Sequence, residues 1–393
     1  MIHIQLKQGK EQSLQRFHPW IFSGAIQKMD GKPQEGDVVE VTDALGSFLA
    51  VGHYQIGTIA VRVLSFEPIA IDQSFYDMRI SEAFELRKKL GLVGNGETNA
   101  YRLIHGEGDR LPGLVIDMYN GTAVVQMHSV GMYVQRALIE EALRKVLGDN
   151  IKAIYNKSEG TLPFKAGLEP HNAYVWGTAP QEMIALENGL KFAPDWEHGQ
   201  KTGFFVDQRE NRALIERYSK DRKVLNMFCY TGGFSMYAMR GGAKLVHSVD
   251  SSERAIELTR DNIKINFGDD PRHDAFAEDA FKFMQNAKED YDLVILDPPA
   301  FAKHYNVLGN ALKGYRRLNT KALEMIKPGG ILFTFSCSQV VTKEIFRTMV
   351  FSSAAKAGRK VSVLHQLSQP ADHPVDIFHP EGEYLKGLVL HVL

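Results

Sequence analysis

Over residues 1 to 67, apolar and polar positions alternate in short runs. GDVVEVTD, GSFLAVGHY and TIAVRVLS each carry the two-residue period of a strand, and Gly and Asp separate them. No helical period intervenes, so a small β-barrel is expected here. EPIAID then leads into a helix near Ser74 to Leu90. In YRLIHGEGDRLPGLVIDMYNGTAVVQMHS, the Asn120-Gly121 pair between two alternating runs predicts a hairpin. MYVQRALIEEALRKVLG has the helical period, with Val134, Leu138, Leu143 and Leu147 at its apolar positions and Gly148 as its C-cap. IKAIYNKS reads as a further strand, so residues 68–188 form a mixed α+β unit.

From residue 189 the pattern changes. KVLNMFCY, KLVHSVD, YDLVILD and GILFTFSCS are almost continuously apolar, and helical stretches such as SSERAIELTRDNIKINF alternate with them. Strands of this kind belong to a parallel sheet covered on both faces. KVSVLHQL and EYLKGLVLHVL follow with no helix-length segment between them, which predicts an antiparallel pair closing the sheet. The fold class is therefore α/β, with domains at 1–67, 68–188 and 189–393.

Composition narrows the class. The chain has 393 residues, 44% hydrophobic and 24% charged, a globular profile too long for one ordinary core. No apolar run reaches membrane-spanning length, and MIHIQLKQGKEQ has no apolar signal core. A cytoplasmic protein with no membrane contact is expected. The two cysteines, Cys229 and Cys337, lie far apart without C-x-x-C spacing, so neither a disulfide framework nor a metal site is expected. A formal net charge of −1 means that positive charge for a nucleic-acid partner must be local. The oligomeric state is open, a homodimer included.

Candidate chemistry gathers at the strand ends of the last domain. In NMFCYTGGFS, Gly232 and Gly233 end one strand and open a helix, where the backbone can approach a ligand closely. The next strand ends in Asp250, which can accept from ribose hydroxyls, and Asp279 after the following strand can face an adenine. The stretch matches neither G-x-G-x-x-G nor G-x-x-x-x-G-K-[ST], so a nucleoside without phosphates is favoured. Taken alone, the glycines serve equally as a tight turn, and Asp250 as a helix cap.

YDLVILDPPAFAKH puts Asp297 at the end of an apolar strand and two prolines directly after it. Pro298 and Pro299 stiffen the loop and remove donors. An acid-Pro-Pro-x-aromatic loop resembles the base-binding loop of S-adenosylmethionine-dependent methyltransferases, where Phe301 can stack on an extruded base. Cys337, in FTFSCSQVV, should end the strand beside that of Asp297, on the side away from the cofactor turn. A thiolate there can attack C6 of a pyrimidine and make C5 reactive, while Asp297 bonds to N3 or N4. A lone cysteine is as often a small buried hydrophobe. Ser336 and Ser338 beside it favour an exposed strand end. Cys229, inside the cofactor turn, is assigned to packing or cofactor contact.

Together FCYTGGFS, VDSS, LDPPAFAKH, FSCS and HPEGEYLKG resemble the bacterial 23S rRNA large-subunit methyltransferase I family. RFHPWIFSGAI resembles the start of its N-terminal PUA domain, and GQKTGFFVDQRENR its entry into the catalytic domain. The resemblance covers nearly the whole chain. It implies a Rossmann-like class I methyltransferase domain with an antiparallel last strand, and a cytosine-C5 reaction on 23S ribosomal RNA. It further implies that S-adenosylmethionine is held by Asn226, Phe228, Cys229, Tyr230, Thr231, Gly232, Gly233, Asp250, Ser251, Asp279 and Ala280. Phe204, Gln208 and Arg209 would lie over the methionyl part. Cys337 becomes the nucleophile and Asp297 the base-binding acid. The loop has no second cysteine, which leaves open the group that removes the C5 proton.

For RNA, KGYRRLNTK carries Lys313, Arg317 and Lys321 on one helical face that can meet phosphates near the target base, although taken alone such a stripe is more often a solvated helix face. Lys303 in the Asp297 loop and Arg16, His18 and Trp20 in the barrel are further candidates, although Trp20 reads equally as core. Two other readings stay open. One is an N-methyltransferase acting on guanine or adenine, which needs no thiol; the other is a non-catalytic RNA-binding assembly factor. The His379-x-Glu381 pair lacks the P-C-x-x-C partner of a zinc deaminase.

Overall fold

The computed structural model describes residues 1–163, 167–302 and 304–393. The chain forms two compact units. The first comprises residues 1–189, 194–206 and 371–382; the second comprises 190–193, 207–370 and 383–393.

The first unit opens with a six-stranded sheet in the order β2 (Trp20–Phe22), β6 (Ile59–Ser65), β5 (Phe48–Tyr54), β4 (Val38–Thr42), β1 (Ile2–Leu6), β3 (Ile26–Met29). Alternation decides which side is core: Val39 and Val41 of β4 are fully buried, while Val38 and Glu40 are half-buried. Gly52 is required where β5 crosses β6, because a Cβ there would lie 2.3 Å from the Arg62 carbonyl oxygen. A second sheet of five strands follows, in the order β11 (Ala173–Trp176), β10 (Ala153–Asn156), β9 (Thr122–Met127), β8 (Leu114–Tyr119), β7 (Ala100–His105). Asn120 and Gly121 form the β8–β9 hairpin with φ of 49° and 90°. Helix α2 (Gln73–Lys89) packs against α4 (Arg136–Leu147).

The expected single helix through Val134 is two helices. α3 (Val130–Val134) ends at Gln135, which leaves helical geometry before α4 begins. The break shifts the phase, and Val134 is 50% exposed instead of apolar core.

Residues 371–382 also depart from the domain map drawn on the sequence. They belong to the first unit, where buried charge holds them. Arg87 pairs with Asp109 and donates to the Asp372 carbonyl at 2.8 Å. The Asp372 carboxylate accepts from the Arg102 amide at 2.9 Å, and Arg102 pairs with buried Asp117. Each ion finds its partner inside the network, as buried charge requires.

Short strands β12 (Ala185–Glu187) and β13 (Leu190–Phe192) lie at the junction in sequence. The second unit is built on a seven-stranded sheet in the order β16 (His273–Ala277), β15 (Leu245–Asp250), β14 (Lys223–Met227), β17 (Tyr291–Leu296), β18 (Ile326–Ser336), β20 (Lys386–Val392), β19 (Val361–Leu367). All pairings are parallel except those of β20, which runs antiparallel to both neighbours. The closing hairpin expected from the two final apolar runs is this pair. Leu293, Val294, Ile295 and Leu296 are all fully buried, so β17 is a central strand with β14 and β18 on its flanks. Their carboxyl ends therefore open on one crevice, the place where sheets of this kind bind ligands.

Candidate active site

The backbone beyond β14 is tightly wound. Phe228 and Tyr230 have φ of 60° and 47°, and Gly232 has φ of 78°. Left-handed geometry at two aromatic residues costs energy, which the surrounding bonds offset. Cys229 N donates to Val249 O, Tyr230 N to Asp250 Oδ2 at 3.0 Å, and Asn262 Nδ2 to Thr231 O. Gly232 sits so close to helix α7 (Glu253–Phe267) that a Cβ would lie 2.7 Å from Thr259 Cγ2. Gly233 opens α6 (Gly233–Arg240), where a Cβ would meet the Arg212 side chain. Asn226 is fully buried; its Nδ2 donates to Ser235 Oγ, while Oδ1 has no hydrogen-bond partner among the described residues. Ser252 caps α7, and the Asp250 carboxylate braces the turn through Tyr230 and Ser252 amides. Ser251 is exposed. Asp279 is exposed and caps α8 (Ala280–Asn286) through one oxygen, leaving Oδ2 outside those bonds; Ala280 is buried. A glycine cradle, an orphaned amide oxygen and two acids at successive strand ends fit a nucleoside without phosphates, S-adenosylmethionine included.

Cys229 packs with Ile256 and Ala275 in a small apolar cluster. Burial and the Asp250 charge push its thiol far above the ordinary range. Gln208 and Arg209 are buried in the second unit. Phe204 is buried in the first unit, where its carbonyl accepts from the Tyr119 hydroxyl.

Asp297 directly follows β17 and Cys337 directly follows the adjacent β18. The Cys337 thiol lies 4.0 Å from the Pro298 carbonyl oxygen, and the residue is free and partly exposed. Asp297 Oδ2 accepts from Gln208 Nε2 at 3.1 Å, and Gln208 is held in turn by Asn211 Nδ2 at 2.6 Å. Loss of hydration and the nearby Asp207 charge push the Asp297 carboxyl up to about 7. Burial, then the Asp297 and Asp207 charges, push the Cys337 thiol up to about 12. At rest the thiol is therefore protonated.

Three side chains in this cluster had no chemical role in the sequence reading. Asp207 accepts from the Tyr384 hydroxyl at 2.6 Å through Oδ2, while Oδ1 is buried without a hydrogen-bond partner among the described residues. Lys386 is 5% exposed, and its Nζ donates to Ser338 O at 2.6 Å and Val341 O at 2.7 Å. Burial pushes the ammonium down to about 8, against the opposing pull of the Cys337 thiolate. The available signal was a lysine at the head of the apolar run LKGLVLHVL, where only function or a buried partner explains a charge.

The flanking serines differ from expectation. Ser336 and Ser338 are fully buried, not part of an exposed polar end. Both bond to the Tyr315 hydroxyl, at 3.1 and 3.0 Å, and so fasten the end of β18 to helix α9 (Leu308–Met325). Phe301 packs on the Tyr315 ring at 4.5 Å between centroids, so only its remaining surface is open to a base. Pro298 is buried and Pro299 exposed. On α9, Lys313 is exposed, the Arg317 guanidinium lies over the Phe281 ring at 4.2 Å, and Lys321 is paired with Glu324 at 3.8 Å. Arg16 is exposed in the first unit; Trp20 there donates to Glu107. Lys303 lies outside the described residues. Among the described residues, no helix is long and apolar enough to cross a membrane, and no three His, Cys, Asp or Glu side chains form a metal-sized group.

The glycine cradle, the acids at the strand ends and the sheet order define an S-adenosylmethionine-dependent methyltransferase. Family models agree: residues 101–382 match the S-adenosylmethionine-dependent methyltransferase family, to which the chain belongs, and residues 4–66 match a PUA-like domain. Among curated proteins it is 40% identical to the ribosomal RNA large subunit methyltransferase I of Tolumonas auensis over 99% of both chains. It is 38% identical to that of an Escherichia coli strain over the full length of both. A solved structure of a candidate methyltransferase complexed with SAH covers the whole of both chains, with 25% identity and a TM-score of 0.85.

Proposed function

We propose that the protein methylates C5 of a cytosine in 23S ribosomal RNA through a covalent bond between Cys337 and C6 of the base. The observation that carries this reading is the pairing, at adjacent strand ends, of a partly exposed free thiol with a carboxyl whose proton is held to about pH 7. The relatives' shared name supports ribosomal RNA as the substrate.

When bound, S-adenosylmethionine supplies a methyl group on a sulfonium, an electrophile that needs an electron-rich acceptor. Cytosine C5 is not one unaided. Lys386 in its amine form takes the Cys337 proton, leaving a thiolate beside an ammonium. The sulfur bonds to C6, and the displaced electron pair moves toward N3. Protonated Asp297 donates to N3 and neutralises that charge, so C5 becomes nucleophilic. After methyl transfer the C5 proton passes to solvent, the C6–S bond breaks, and Asp297 and Cys337 recover their protons. Gln208 holds Asp297 in place throughout.

The test is incubation of unmodified 23S rRNA with labelled S-adenosylmethionine, followed by digestion and mass identification of the nucleoside. 5-Methylcytidine, with a protein–RNA adduct trapped by 5-fluorocytidine, is the expected result. An N-methylated purine would instead establish the alternative chemistry, which the protonated resting thiol leaves in play. No methylation of any nucleoside would leave RNA binding as the activity.

A further inference from the structure

The first unit contains a cavity of about 270 Å³ that plays no part in methyl transfer as described above. Its lining comes from Trp20 and Arg62 of the barrel, the 105–108 loop after β7, Gly113, Val115 and His128 around β8 and β9, and the 374–382 segment that carries His379.

Polar side chains in the walls are held by one another. Trp20 Nε1 donates to Glu107 Oε1 at 2.8 Å, and Arg62 NH1 donates to the same oxygen at 3.0 Å. The guanidinium lies over the Trp20 ring, 5.3 Å from its centroid. Both donors use Oε1; no bond to Glu107 Oε2 occurs among the described residues, so this oxygen is available as an acceptor. His379 is only 3% exposed, and neither ring nitrogen has a hydrogen-bond partner among the described residues. Glu381 lies 3.7 Å from its Nε2, and the Glu107 and Asp376 charges also act on the ring. Burial lowers the His379 pKa, so its ring is neutral near pH 7 and offers one donor and one acceptor. Its ring meets Trp20 edge-on with centroids 4.3 Å apart.

A buried imidazole with two idle nitrogens costs free energy unless something else completes it. The charge of the cavity selects what that is. Glu107 and Asp376 face a single guanidinium, Arg62, and three imidazoles, His105, His128 and His379, whose pKa values burial lowers. A phosphate or carboxylate would be repelled. A flat, uncharged ligand with N–H donors and ring acceptors is complementary, and its size matches one nucleobase rather than a folded strand.

We propose that this cavity receives one unpaired base of the RNA substrate, with an N–H of the base on Glu107, His379 bonded to its edge, and Trp20 against it. The proposal rests on the RNA reading above and places a second base contact in the other unit from Cys337.

The test uses the full-length protein and protein-free 23S rRNA. Affinity is measured over a salt series for the wild type, His379→Phe and Glu107→Gln. Each variant is expected to bind roughly 5- to 50-fold more weakly, the range of a lost base contact. The slope of affinity against salt should not change, because no phosphate contact is lost. Affinity for S-adenosylmethionine and turnover at saturating RNA should stay as in the wild type. Should either variant fold poorly, tryptophan emission decides: RNA should quench it in the wild type, and Trp20→Phe should remove that quenching. Wild-type affinity in folded variants, or quenching unaltered in Trp20→Phe, overturns the proposal. A changed salt slope replaces it with a phosphate contact. Failure of the wild type to bind the RNA at all would overturn the RNA reading and this proposal together.

Discussion

Two thiols lie at carboxyl ends of strands in one parallel sheet, and their surroundings give them opposite uses. Cys229 is packed into Ile256 and Ala275, with its sulfur 3.7 Å from Thr259 Oγ1. Its turn is wound by left-handed residues and anchored to Asp250. The adjacent charge is the Asp250 carboxylate, which opposes thiolate formation. Cys337 also has its thiol raised, but it is partly exposed, it adjoins a carboxyl near neutrality, and a lysine with a lowered pKa is buried beside it. A buried thiol is thus inert or poised according to whether a proton acceptor lies within the same pocket.

The largest effect that could break this contrast is loss of the sulfur. Cys337→Ser should lower methyl transfer by at least roughly 10³-fold, since a hydroxyl is far less able to attack C6. Its affinity for S-adenosylmethionine, read by calorimetry, should stay unchanged. Cys229→Ser should keep most of the turnover and instead lose stability, by about 1–2 kcal/mol, from placing a hydroxyl in an apolar cluster. Reversal of the two outcomes in a labelled-methyl assay would exchange the roles of the two cysteines.

Lys386→Met comes next. Removing a general base typically costs 10²–10⁴-fold. The informative readout is the pH profile of turnover. The wild-type rate should peak between about 7 and about 8, because Asp297 must keep its proton while Lys386 must have lost one. In the variant the fall above about 8 should be replaced by a plateau, because ionisation of the thiol itself, complete only near 12, offsets the loss of the Asp297 proton. An unchanged profile would reduce Lys386 to a strut for the Ser338 and Val341 carbonyls.

Most of this frame was legible in the sequence. Near-continuous apolar strands name a parallel sheet because both faces must be covered, and strand order then brings Asp297 and Cys337 to neighbouring ends. What was not legible depends on partners remote in the chain. Ser336 and Ser338 look like an exposed polar end until Tyr315 takes both hydroxyls. Residues 371–382 read as part of the catalytic domain because no local pattern shows that Asp372 completes a charge network with Arg87 and Arg102. The Val134 miss is different. It came from carrying one helical phase across Gln135, a break that residue type alone does not signal.

Asp297 sharpens the comparison on the stability scale. Its carboxyl ionises near 3.8 when unfolded and near 7 when folded. Below both values the two states hold the proton equally. As pH rises from about 4 to about 7, only the unfolded state releases it, so the native state loses relative stability, and above 7 the loss is complete. The limit is about 4 kcal/mol, less where water reaches the carboxyl. Asp297→Asn removes this titration. Chemical denaturation at pH 5 and pH 8 should show the variant gaining on the wild type with rising pH, and a constant difference would mean that the carboxyl is not held protonated.

The smallest expected effect concerns charge on α9, where the three basic residues are not equivalent. Arg317 is engaged over Phe281 and Lys321 is paired with Glu324, whereas Lys313 is exposed and makes neither kind of contact among the described residues. A phosphate must compete with the existing partner at the first two positions, but not at the third. Lys313→Ala should therefore weaken RNA binding by a few-fold and reduce the salt slope by about one. Lys321→Ala should do less, because removing the lysine also leaves Glu324 unpaired near the RNA. Equal losses from the two variants would show that RNA displaces Glu324 on binding, so that the helix presents all its positive charge only in the complex.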